Sequence, residues 1–97
     1  MPWKVFYTDE VIAFLTTEIT SKRVYEQINQ YREILSLFPD IGRKYDPLYD
    51  AARPPFDVWC IAIPSTPFTL YYKKDEPNRT LVVFYIEHQR NNPYERF

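Results

Sequence analysis

Apolar and polar positions change their spacing several times along the chain, and each change marks an element. Residues 3–7 are aromatic or β-branched except Lys4, which predicts a short first strand buried on at least one face. Thr8-Asp9 then offers a helix N-cap and Glu10 an acidic first turn. Val11, Ile12, Phe14, Leu15 and Ile19 follow at helical spacing, predicting a first helix that runs to about Ile19. Thr20-Ser21 supplies a fresh cap. From Lys22 onward Val24, Ile28, Tyr31, Leu35 and Phe38 recur at alternating four and three residues, with Lys22, Arg23, Glu26, Gln27, Gln30 and Glu33 between them, until Pro39 ends the second helix.

Residues 40–55 show no stable period and carry the single glycine, Gly42, with Pro47, Pro54 and Pro55, so they read as a long loop of a length that is often functional. A positive φ at Gly42 would make that residue hard to replace. Three strand-like runs follow, at 56–63, 68–74 and 80–88, punctuated by Pro64-Ser65-Thr66-Pro67 and Asp75-Glu76-Pro77-Asn78. The middle run alternates Phe68, Leu70 and Tyr72 against Thr69, Tyr71 and Lys73. Residues 81–86 are continuously apolar, as in a strand covered on both faces in mid-sheet. The polar tail 91–97 either frays or docks. The order β-α-α-β-β-β predicts an α+β fold: a helical hairpin packed on one face of a small antiparallel sheet, with the first strand returning to pair inside it.

Composition narrows the reading. A chain of 97 residues with 45% hydrophobic and 26% charged residues is one globular domain spanning 1–97, with no room for a separate cofactor module. The aromatic share of 19% compensates for a small core. The single cysteine, Cys60, excludes an internal disulfide framework. No run is long enough to span a membrane and Met1-Pro2-Trp3-Lys4 begins no signal peptide, so the chain reads as cytoplasmic, without a membrane partner. A net charge of −1 lacks the strongly basic footprint of a nucleic-acid binder, though it says nothing about local patches.

The sequence has no phosphate-binding glycine loop, no histidine pair at metal-binding spacing and no serine elbow between glycines; we expect no cofactor and no metal site. Candidate chemistry gathers at the end of the last strand. His88 is a candidate general acid or base, with Arg90 stabilising charge on a phosphate and Tyr94 or Tyr85 positioning it; the plainer alternative is a strand-end histidine bonded to a loop carbonyl. Strict alternation places Glu87 on the side of Tyr85 and Val83, and His88 on the side of Ile86 and Phe84. Further cations lie at Arg43-Lys44, Arg53, Lys73-Lys74 and Arg79. A surface joining Arg43, Arg53 and Lys73 with Tyr45, Tyr49 and Tyr71 would suit RNA bases and phosphates. Ordinary surface charge is the competing reading, since Asp40, Asp46, Asp50, Asp57, Asp75 and Glu76 are interleaved.

Trp3-Lys4-Val5-Phe6-Tyr7, a helical hairpin ending in Leu37-Phe38-Pro39-Asp40-Ile41-Gly42-Arg43, the strand Pro67-Phe68-Thr69-Leu70-Tyr71-Tyr72 and the closing Val83-Phe84-Tyr85-Ile86-Glu87-His88-Gln89-Arg90 occur in one order. In that order and spacing the chain resembles the RelE/ParE superfamily of toxins from type II toxin-antitoxin modules. The resemblance implies a small α+β toxin neutralised by a cognate antitoxin that wraps its surface. Its target is either ribosome-bound messenger RNA, which is cleaved, or DNA gyrase, which is inhibited; a relative that has lost toxicity and only binds its antitoxin is the alternative. Cys60 and Ala62 stand where the nuclease branch often has lysines, and Thr69 where it has an arginine. If RNA is cut, the resemblance implies His88 as acid or base, Arg90 and Arg53 as charge stabilisers and Tyr94 as the residue orienting the nucleotide. Arg43, Lys44, Lys73 and Lys74 would then bind RNA.

Overall fold

A computed structural model describes residues 2–45 and 56–88. Its elements are β1 (Lys4–Tyr7), α1 (Asp9–Thr17), α2 (Lys22–Leu37), β2 (Arg43–Lys44), β3 (Trp59–Ala62), β4 (Phe68–Asp75) and β5 (Thr80–His88). The α+β fold read from the sequence is present, and both helix starts are capped as expected. The Thr8 hydroxyl accepts from Val11 N and the Ser21 hydroxyl from Val24 N, each at 3.3 Å, satisfying donors that have no partner within the first helical turn. Helix α1 stops two residues before Ile19. The hydroxyls of Thr16 and Thr17 fold back onto the carbonyls of Ile12 and Ala13, and such back-bonding weakens a helix. Ile19 nevertheless stays in the core.

The sheet departs from the expected antiparallel meander in three ways. Its order is β1-β5-β4-β3-β2, and β1 runs parallel to β5 at the edge instead of pairing inside, so the sheet is mixed. The long loop contributes an edge strand of its own, Arg43–Lys44, against Cys60 and Trp59. The β4–β5 ladder slips by one residue: Tyr71 pairs with Tyr85 but Tyr72 pairs with Val83, which leaves Phe84 as the extra residue of a β-bulge. Strand β5 itself spans 80–88 and lies between β1 and β4, in the interior of the sheet.

Both edges are managed. The outer side of β1 is clasped by α2: Trp3 N donates to Ser36 O, the Ser36 hydroxyl to Trp3 O at 2.6 Å, and Arg32 Nη2 to Val5 O at 2.9 Å. The opposite edge is only two residues long. Neither presents a long free ladder.

The helices cover one face. Val11, Leu15 and Ile19 of the first hairpin arm, and Val24, Ile28 and Leu35 of the second, pack onto Val5, Ile63, Phe68, Leu70, Tyr72, Leu81, Val83 and Ile86. Tyr72 is fully buried, and its hydroxyl anchors the turn after α2. Gly42 N donates to it at 3.1 Å and it donates to Pro39 O at 3.2 Å. Burial pushes this hydroxyl up to about 12, against the opposing pull of the Gly42 N–H. Gly42 does not have a positive φ. What requires glycine is space: a Cβ there would lie 2.2 Å from Tyr72 Oη and 2.8 Å from Cys60 O.

Candidate functional site

The bulge decides which side chains share the helix-free face of the sheet. Before it, Leu81 and Val83 face the helices; after it, Ile86 faces them, while Phe84 and Tyr85 both join a second apolar cluster with Val58, Cys60, Tyr71 and Tyr45. The expected partition of β5 is therefore corrected. Glu87 shares its face with Tyr85 and Phe84, not with Val83, and His88 lies on the side of Ile86 and Val83.

One row of this face runs Arg43, Cys60, Tyr71, Tyr85 across four strands. The next pairs Ala62 with Thr69 and Thr69 with Glu87. Tyr71 stands edge-on to Tyr45 at 5.6 Å and tilted to Tyr85 at 5.6 Å, and its hydroxyl donates to Glu87 Oε2 at 3.3 Å. Glu87 is a charged residue buried in this face. Beside the row, Lys73 lies over the Phe56 ring at 5.2 Å, and Phe56 stands edge-on to Phe84 at 5.4 Å. Phe56 is exposed. An accessible ring beside an ammonium group is suited to stacking a base while meeting a phosphate.

The four cations proposed from the sequence for RNA separate into two pairs. Arg43 and Lys73 are exposed and share the helix-free face. Lys44 lies opposite Trp59 and forms an ion pair with Asp57 at 3.3 Å. The Lys74 side chain is only 6% exposed; its ammonium meets the Asp40 carboxylate and sits 4.2 Å above the Trp59 ring. Lys74 fastens the turn after α2 to the sheet.

His88 is placed away from these groups. Its ring stands edge-on to Phe68 at 5.2 Å, and Phe68 in turn to Phe14 at 5.8 Å, forming an aromatic row on the helix side. His88 and Glu87 thus project to opposite faces, as alternation requires. Arg53, Arg90 and Tyr94, and Tyr49 with them, lie outside the described residues. Neither Phe56 as an exposed ring beside Lys73 nor the Tyr71–Glu87 contact is marked in the sequence: Phe56 opens a strand-like run, and the bulge that sets Glu87 beside Tyr71 leaves the apolar pattern unchanged. Among the described residues no group of three or more His, Cys, Asp or Glu side chains could hold a metal ion, and no helix is long and apolar enough to cross a membrane.

No protein-family model and no curated protein matches the chain. Solved structures do. The chain superposes on the archaeal RelE–RelB complex from Pyrococcus horikoshii OT3 with a TM-score of 0.71 at 14% identity, covering 95% of this chain and 100% of that one. The fold is that of RelE. The Mycobacterium tuberculosis RelBE2 toxin–antitoxin complex gives 0.70 at 16% identity over 94% and 95% of the two chains, and a free Escherichia coli RelE carrying two arginine-to-alanine substitutions gives 0.68 at 14% over 97% and 90%. On this RelE fold, Cys60, Ala62 and Thr69 all occupy the rows next to Tyr71 and Glu87. The centre of the face thus has uncharged groups and a carboxylate, and its described cations stand at the flank.

Proposed function

We propose that the chain is the toxin of a type II toxin–antitoxin pair, held inactive in the cytoplasm by a cognate antitoxin and directed at messenger RNA on the ribosome. The observation that carries the reading is the RelE fold over nearly the whole chain, shared with two toxin–antitoxin complexes. The exposed Phe56–Lys73 pair, with Arg43 across the same face, supports contact with unpaired nucleotides. In the cleaving form of this proposal Arg90 and Arg53 stabilise charge on the scissile phosphate, Tyr94 orients the nucleotide and His88 acts as acid or base at the end of β5, on its helix side and apart from Phe56 and Lys73.

The uncharged residues Cys60, Ala62 and Thr69 around Tyr71 favour a second reading, in which the protein binds its target without cutting it, with DNA gyrase as the other target class. They supply no positive charge to hold the phosphate that a nuclease must stabilise at the centre of its site. The deciding experiment induces the protein in bacteria, with and without the adjacent reading frame, and maps messenger 5′ ends on ribosomes within minutes of growth arrest. New ends at ribosomal A-site positions, lost in a His88→Ala/Arg90→Ala double variant, establish cleavage. Arrest without new ends, together with inhibited supercoiling by the purified protein, establishes the gyrase reading. Absence of arrest in both conditions refutes the toxin proposal.

A further inference from the structure

Away from the helix-free face, α1, α2 and β1 enclose a cleft of about 310 Å³. Two large apolar side chains that the helices leave exposed, Ile12 at 49% and Tyr25 at 43%, gather around it. Single exposed apolar residues need no explanation, but one from each helix flanking a cleft that also holds a charged group forms a patch of the kind that marks an interaction surface. The cleft also carries a charge. The exposed guanidinium of Arg32 lies 4.7 Å from the centre of the Tyr7 ring and uses one N–H on Val5 O; among the described residues it has no carboxylate partner. Beneath it the Tyr7 hydroxyl is buried and makes no hydrogen bond among the described residues.

We propose that this cleft docks a peptide segment of a partner protein in which a carboxylate side chain lies beside a bulky apolar one. The guanidinium fixes the class of polar group: its remaining donors form a planar fork that matches a carboxylate. The rim fixes the rest. A small free acid would leave Ile12 and Tyr25 in water, whereas a peptide side chain covers them. The mode is docking by side chains and not strand addition, because Ser36 and Arg32 already occupy the outer backbone groups of Trp3 and Val5. The proposal stands independently of the toxin reading, since it concerns the opposite side of the molecule.

The test selects binders to the full chain from a displayed library of short random peptides, then measures the affinities of synthesised winners by fluorescence anisotropy. Winners are expected to carry Asp or Glu within one helical turn of Leu, Ile, Phe or Trp. Arg32→Gln and, separately, Ile12→Asp should each weaken them by at least about tenfold. Lys73→Ala, on the other face, should leave them unchanged. Ile12 is half exposed, so its variant reports on the cleft even if the loss of the Arg32–Val5 bond disturbs β1. Replacing the peptide's acid by its amide should cost affinity for the unaltered protein and nothing further for Arg32→Gln. Failure to obtain winners, winners without a carboxylate, or affinities indifferent to both cleft variants overturn the proposal.

Discussion

Gly42→Ala tests whether the turn after α2 is held by its fit against Tyr72. Because Gly42 has no positive φ, alanine meets no backbone penalty and should even gain about 0.4–1 kcal/mol from a stiffer unfolded chain. Against that, its Cβ would sit 2.2 Å from Tyr72 Oη and 2.8 Å from Cys60 O. Tyr72 is 0% exposed and cannot swing aside, and Cys60 O belongs to the sheet backbone. The turn must therefore lift, losing the Gly42 and Pro39 bonds to the hydroxyl at about 1 kcal/mol each and suffering overpacking of about 1–3 kcal/mol. The net expectation is a loss of about 2–5 kcal/mol.

Tyr72→Phe removes the same two hydrogen bonds without crowding and should cost about 2 kcal/mol. It also removes the atom nearest the new methyl group. The two substitutions should therefore be coupled, with the double variant less destabilised than the sum of the single ones by about 2 kcal/mol or more, since the same two hydrogen bonds are lost in each. Urea denaturation followed by far-UV circular dichroism reads all three, and an unchanged dependence on denaturant would show that the unfolded state is not the cause. Additivity within about 0.5 kcal/mol would refute the reasoning, because it would mean that Gly42 and Tyr72 act separately.

Two further expectations follow from burial. The Tyr7 and Tyr72 hydroxyls are both pushed up to about 12 by desolvation, whereas an unfolded tyrosine titrates near 10. The folded chain thus keeps protons that the unfolded chain has released, and this contribution to stability is whole below about pH 10 and lost between about pH 10 and 12. The loss is about 1.4 kcal/mol per pH unit for each tyrosine at its steepest; Tyr72→Phe should remove one share of that slope in denaturation curves taken across the range. Adjacent lysines should behave differently: Lys74→Ala should cost about 1–2 kcal/mol in thermal or urea unfolding through the lost packing on Trp59, while exposed Lys73→Ala should stay within about 0.5 kcal/mol. Equal costs would contradict the structural role assigned to Lys74.

The elements and the sides of most of them were legible because burial imposes a period. Val24, Ile28 and Leu35 mark the inner stripe of α2, and the alternation in residues 68–74 correctly set Tyr71 and Lys73 against Leu70 and Tyr72. Pairing between distant strands leaves no such local mark. Nothing near residues 4–7 announces a parallel partner, and Arg43-Lys44 acquires a place in the sheet only through Cys60 and the Tyr72 hydroxyl. The bulge was hidden for a sharper reason: residues 81–86 are apolar on both faces, so an extra residue leaves the hydrophobic pattern unchanged. Its effect on chemistry is nonetheless large. With Phe84 in register, the alternation that buries Leu81 and Val83 would carry Tyr85 and Glu87 into the helix-side core and turn Ile86 away from it. Burying that carboxylate among Leu70, Phe68 and Phe14 without a hydrogen-bond donor would be prohibitive. The inserted residue instead returns Ile86 to the core and sets Glu87 against the Tyr71 hydroxyl. The polar character of the helix-free face thus rests on one residue of register, which explains why counting along the sequence could name its residues but not assign them to a side.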